Sequence, residues 1–214
     1  MNKFCISNGI NACQPELVEG SFNKQIIAFD KLGLTTNKLK NIAMNNIIIV
    51  PYEASHQPYF EKFNRQWIEA WFTMEPVDEY VLTNPGEAIL KDGGAILMAV
   101  YDGSIAGTVG LRKVNDQTFE FTKMAVGEEF RRKGIAEALS YASFEKAKEL
   151  GATKVILYSN TKNANAIKLY EKIGFKHLPV ENDVYARANV KMVIDITEGK
   201  FSHHDYTNTQ QLNH

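Results

Sequence analysis

A chain of 214 residues with 44% hydrophobic side chains and a formal net charge of −1 has the composition of an ordinary globular protein, long enough for one well-buried α/β domain with appended segments. The balanced charge argues against wholesale binding to nucleic acid or to an anionic membrane, so any polyanion has to be met locally. No apolar run approaches the roughly 18 residues that span a bilayer, and the amino terminus lacks a signal-peptide layout, so the expected location is the cytoplasm.

Residues 1–43 are rich in Asn, Lys, Gly and Thr and hold no helical or strand period. The stretch from Gln14 to Ser21, with Phe29 to Leu32, resembles the translation of a dispersed bacterial DNA repeat, and Met44 stands just before the first strand. The expectation is that translation starts at Met44, with 1–43 a poorly structured extension, 44–197 the folded domain and 198–214 a polar flexible tail. The two cysteines, Cys5 and Cys13, fall in the extension. The main domain therefore has no thiol nucleophile, Cys-based zinc site or disulfide framework.

Asn46 to Tyr52 is an apolar, β-branched run closed by proline and reads as a buried strand. Ser55 is placed to cap the next helix, where Phe60, Phe63, Trp67 and Trp71 recur at helical spacing. Such an aromatic face is more often core than ligand box, although the end from Trp67 to Phe72, Trp71 included, lies where a substrate can be walled in. Pro76 to Leu82 and Pro85 to Leu90 each suit one or two helical turns with proline in the first. After Gly93-Gly94 comes a meander of Ala95 to Tyr101, the Asp102-Gly103 turn, Ile105 to Val114, a second turn at Asn115-Asp116-Gln117, and Thr118 to Val126.

The meander delivers the chain to Arg131-Arg132-Lys133-Gly134-Ile135-Ala136, which opens a helix running to Leu150 and closed by Gly151. The first N–H groups of a helix lack internal partners and sit at the positive end of its dipole, so a strand-to-helix turn with glycine and three cations suits a pyrophosphate. The plain alternative is a tight connection with a solvated basic run, since short glycine patterns recur by chance. Lys154 to Tyr158 is a short strand, and Asn163 to Lys172 a helix ended by Gly174. A loop holding Pro179 and Asn182-Asp183 leads to a last strand near Val190 to Ile196. His203 and His204 in the tail have no companion ligands, and no metal site is expected.

Arg131-x-x-Gly134-x-Ala136, the later run Asn163-x-x-Ala166-x-x-x-Tyr170-Glu-Lys-x-Gly174-Phe175, and Glu120 on the fourth strand together resemble the GNAT superfamily of acyl-CoA-dependent N-acetyltransferases over roughly Ile47 to Ile196. The resemblance implies an α/β fold of the α+β type: a mixed, mostly antiparallel central sheet flanked by helices and splayed between strands four and five. It implies acetyl-CoA as co-substrate, with Arg131, Arg132, Lys133, Gly134, Ile135 and Ala136 at its pyrophosphate. A splay after Val126 would leave the edge of Met124, Ala125 and Val126 to pair with the pantetheine arm, and an N–H of Met124 or Ala125 would polarise the thioester oxygen. Asn160 or Asn163 would bind the arm, and Lys172 or Arg132 the ribose phosphate.

An amine acceptor must lose a proton before attack, and Glu120 is the candidate base; Tyr170 matches the tyrosine acid for the departing thiolate. Arg187 is a candidate clamp for a substrate carboxylate. The expected activity is N-acetyl transfer to a small-molecule or peptide amine by direct attack, without nucleic acid, membrane or metal and with a homodimer left open. Two rivals remain. A non-catalytic acyl-CoA sensor would keep the phosphate turn but lack acid and base, and a nucleotide-binding α/β domain would start with a parallel βαβ unit, which the upstream meander does not fit.

Overall fold

A computed structural model describes residues 47–180, 185 and 187–197. The expectations for residues 1–43, the Met44 start, the Asn182-Asp183 turn and the tail with His203 and His204 lie outside the described residues. The described chain forms a seven-stranded sheet in the order β1-β2-β3-β4-β5-β7-β6. Its strands are β1 Ile47–Pro51, β2 Ala95–Tyr101, β3 Ser104–Asn115, β4 Thr118–Val126, β5 Lys154–Ser159, β6 Lys176–Leu178 and β7 Val190–Asp195. Every adjacent pair is antiparallel except β4 and β5. The helices are α1 Gln57–Trp71, α2 Pro76–Thr83, α3 Ile135–Glu149 and α4 Ala164–Lys172, with a π-helical turn at Gly86–Leu90.

Strand alternation divides the core between the two faces of the sheet. Leu97 and Ala99 of β2 join Val109, Leu111, Phe119 and Phe121 under α3 and α4. Ile96 and Met98, pointing the other way, meet Phe60 and Ile68 of α1 and Leu82 of α2. The Asp102-Gly103 hairpin closes with both residues at positive φ, 47° and 78°, the conformation a type I′ turn demands.

Two local readings change. The start of α1 is organised by Glu53 rather than Ser55: a short 3₁₀ turn, Ala54–His56, precedes the helix, and His56 Nδ1 accepts the Glu53 N–H at 3.0 Å. Strand β6 falls where the sequence reads as loop, because all three of its residues are exposed and carry no buried face to produce a period. Among the described residues no helix is long and apolar enough to cross a membrane.

The feature that positions the site is the parting of β4 from β5. Their ladder covers only Thr118–Glu120 against Lys154–Ile156, so the strands separate after Glu120, earlier than the expected point beyond Val126. The cause is a bulge. Between the pairs Thr108↔Ala125 and Gly110↔Thr122, β4 spends two residues where β3 spends one. Lys123 takes φ 50° there, which bends and twists the strand away from its neighbour.

Candidate functional site

At the end of β4 the chain passes through a 3₁₀ turn at Glu128–Phe130 and reaches Gly134, the N-cap of α3, at φ 80°. Arg132 precedes it at φ 63°. A left-handed φ is open to glycine at no steric cost. The first intrahelical bond runs from Ala138 N–H to the Gly134 carbonyl. The N–H groups of Ile135, Ala136 and Glu137 have no hydrogen-bond partner among the described residues. A Cβ on Gly134 would touch only Ile47 Cδ1, at 4.0 Å, so the space beside this glycine is open. Exposed helix-terminal amides beside cations form an anion receptor. Arg131 pairs with Glu128 at 3.3 Å, and Lys133 Nζ lies 4.7 Å from the Tyr101 ring centre; both are exposed. Lys172 is already bonded to Glu137 at 2.9 Å.

The gap between β4 and β5 opens into a cavity of about 90 Å³, room for roughly six to nine waters at about 10–15 Å³ each. Glu120, whose neighbours Phe119 and Phe121 face the opposite core, reaches it from one side of the sheet. Tyr170 on α4 reaches it from the other. The two residues that sequence alone assigns to acid and base work therefore share one cavity. Trp67, Met124, Asn160, Asn163 and Arg187 line it as well. Trp71 does not: it is 62% exposed at the last position of α1, beyond the sheet.

Strand alternation decides which amides of β4 face the gap. Gly127 N–H bonds to the Ala106 carbonyl of β3, so the same orientation recurs at Ala125, whose carbonyl also abuts β3 at Gly107. The N–H groups of Met124 and Val126 then point to the open edge, and Ala125 is turned away from it.

Two ion clusters reach the cavity through Glu120, Tyr185, Lys123 and Arg187, and sequence reasoning missed most of their members. Glu120 is 1% exposed. Its Oε2 accepts from Arg112, with Nε at 3.2 Å and Nη2 closer still, and its Oε1 accepts the Tyr185 hydroxyl at 2.8 Å. Asp78, fully buried in the first turn of α2, accepts from Lys123 Nζ at 2.8 Å, from both Nη groups of Arg187, one at 2.7 Å, and from the Glu75 N–H at 3.3 Å. Burial alone would raise its pKa; hydrogen bonds from Arg187 and Lys123 outweigh that and hold it at about 2. The fork of Arg187 is thus spent on Asp78 and is not open as a bidentate clamp. Asn160 is committed too, its amide donating to the Arg187 carbonyl and its oxygen accepting the Lys162 N–H. Asn163 makes no side-chain hydrogen bond among the described residues.

Burial pushes the Tyr170 hydroxyl well above the ordinary phenol range, and the group has no hydrogen-bond partner among the described residues. It is a protonated donor aimed into the gap. Burial and the Glu120 charge likewise raise Tyr185. No group of three or more potential metal-ligating side chains occurs among the described residues.

The sequence matches the Acetyltransferase (GNAT) family over residues 51–175, more than half of the chain. Human N-acetylaspartate synthetase is 32% identical over 123 residues, 56% of this chain and 38% of that protein. The uncharacterized N-acetyltransferase YvbK of Bacillus subtilis is 29% identical over 116 residues, 53% of this chain and 75% of that protein. The match to the synthetase thus spans little more than a third of its length. Among solved structures, an acetyltransferase of GNAT family from Staphylococcus aureus Mu50 superposes with a TM-score of 0.63 at 21% identity, covering 70% of this chain and 99% of that one. The PaiA N-acetyltransferase of Thermoplasma acidophilum, in complex with coenzyme A, gives 0.56 at 18% identity, with 70% and 98% covered. At these identities the structures share the fold.

Proposed function

The chain belongs to the GNAT acetyltransferase family and is an acyltransferase; from that premise we propose that it moves an acetyl group from acetyl-CoA to a primary amine of a small molecule or peptide, by direct attack in a ternary complex. The observation that carries this reading is the convergence of Glu120, Tyr170 and the open edge of β4 on one cavity.

The amides of Ile135, Ala136 and Glu137, flanked by Arg131, Arg132 and Lys133, have no hydrogen-bond partner among the described residues, as a pyrophosphate receptor requires. The β4 edge beyond Glu120 pairs with the pantetheine amides, aided by Asn163. The Met124 N–H, at the bulge that opens this edge, stabilises charge developing on the thioester oxygen. Glu120 takes the proton that the attacking amine sheds, through the one lone-pair position on Oε1 that Tyr185 leaves open.

Tyr170 donates to the departing sulfur. A thiolate with a pKa near 8.5 is a weaker base than a phenolate above 10, so completed transfer from Tyr170 is uphill and its role is a hydrogen bond to the developing charge. The amine takes the acyl carbon directly, since the described domain offers no thiol for an acyl-enzyme.

A second reading, an acyl-CoA-binding sensor, is favoured by one observation: Glu120 is already engaged by Arg112 and Tyr185. Thermal shift with acetyl-CoA followed by thiol release across a panel of amines separates the two. Stabilisation with amine-dependent release supports transfer; stabilisation without release supports the sensor.

A further inference from the structure

The cavity counts its own hydrogen bonds, and the count selects a ligand charge. A carboxylate offers about four acceptor positions. All four of Asp78 are filled, by Lys123, Arg187 twice and the Glu75 N–H. Three of the four on Glu120 are filled, by Arg112 twice and Tyr185. Of the two buried carboxylates only Glu120 therefore retains room for an ammonium; Glu75, part-exposed, lies 3.4 Å from Arg187 Nη1.

The charges of Lys123 and Arg187 are matched by Asp78 and Glu75, but their N–H groups outnumber the acceptors that meet them. Lys123 Nζ, with a side chain 9% exposed, uses one of its three N–H groups on Asp78 and has no other partner among the described residues. Arg187 keeps its Nε–H after both Nη groups are taken. Leaving charged donors unpaired at low exposure is costly, and an anion entering the cavity relieves that cost. Lys162 stands at the rim, its Nζ 5.6 Å from the ring centre of the cavity-lining Phe72, and adds attraction for the same sign of charge.

We propose that the acceptor is a small amino carboxylate, with its amine at Glu120 and its carboxylate received by Lys123 rather than by the expected clamp at Arg187. This rests on the acetyl-transfer reading for the chemistry, while the carboxylate receptor itself stands on the cavity's geometry. Polyamines, which bring no anion for Lys123, are disfavoured.

The test is calorimetric titration of the CoA-loaded protein with glycine, L-aspartate and L-glutamate, each against its carboxamide, and with spermidine. At least one amino acid is expected to bind roughly 10- to 100-fold tighter than its carboxamide, the range of a charged hydrogen bond. Lys123→Met should collapse that ratio to within about threefold, and Lys123→Arg should restore part of it. A thermal shift with acetyl-CoA in each variant confirms that the fold persists. If Lys123→Met does not fold, the comparison in the unaltered protein decides.

Equal binding of acid and carboxamide, tightest binding by spermidine, or a ratio that survives in Lys123→Met overturns the proposal. Selective binding of the acid without thiol release supports the carboxylate site and removes acetyl transfer instead, so the two readings fail separately.

Discussion

Tyr170 is a phenol whose environment fixes its protonation before any ligand arrives. Burial disfavours the phenolate, so the folded pKa lies above the ordinary value, and the donor form persists through and beyond the usual phenol range. Replacement by phenylalanine preserves the ring stacked against Phe121 and Phe175, at 5.9 Å from each, and removes only the hydroxyl. The expected result is a kcat lower by roughly 10- to 100-fold with little change in KM, since the bond to sulfur forms as charge leaves. The pH profile of kcat should show no falling limb from this group below about pH 10. A profile that falls from pH 8 and loses that limb in Tyr170→Phe would contradict the assignment. The opposite case is Thr108, whose buried hydroxyl has no partner among the described residues. Exchange for valine keeps the shape and deletes an unsatisfied polar group. Thr108→Val should therefore raise stability by about 1 kcal/mol in urea unfolding.

At the scale of elements, Asp78 ties three segments together: α2, through its own position and the Glu75 N–H; β4, through Lys123; and the approach to β7, through Arg187. Its folded pKa of about 2 lies below the ordinary carboxylate value. The unfolded chain thus binds the proton more readily. The stabilisation is complete above about pH 4–5 and is lost as the pH falls toward 2. After allowance for solvent screening it is on the order of 1–2 kcal/mol. Asp78→Asn leaves Lys123 without its anion and Arg187 with only Glu75, 3.4 Å away, and should cost about 3–5 kcal/mol at pH 7. It should also flatten the acid slope of stability between pH 5 and 2, read from denaturant midpoints across that range. This cluster was invisible in the sequence, because its members stand 45 and 109 residues apart and each alone is an ordinary surface charge. The meander, the Asp102-Gly103 turn and helices α3 and α4 were legible, since alternation, turn chemistry and closing glycines are local signals. The bulge at Lys123 was not, for a positive φ at a lysine has no signature in residue type. The expected splay was right in kind and late in position for that reason.

For the whole molecule, the sheet behaves as two ladders, β1 to β4 and β5, β7, β6, held edge to edge by three residue pairs. What keeps them from drifting apart is the aromatic core beneath the gap, where Phe121 of β4 meets Tyr170 and Phe175 and Phe144 of α3 lies 5.6 Å from Phe175. That packing lies on one face of the sheet, so the gap stays open without the domain losing its unity. A ligand arm laid along β4 would act as the missing strand, and its effect should be local in hydrogen bonding but global in stability. Amides of Met124 and Val126, facing the gap, should exchange quickly in the free protein and slow markedly with acetyl-CoA, while those paired between β4 and β3 change only by the global term. That term is RT ln(1 + [L]/Kd), about 2.7 kcal/mol at a hundredfold excess over Kd. Hydrogen exchange followed by mass spectrometry resolves the two contributions. Slowing confined to the outer edge of β1, or uniform slowing with no excess at Met124 and Val126, would mean that acetyl-CoA binds somewhere other than the parting of β4 from β5, and the catalytic roles given to Glu120 and Tyr170 would fall with it.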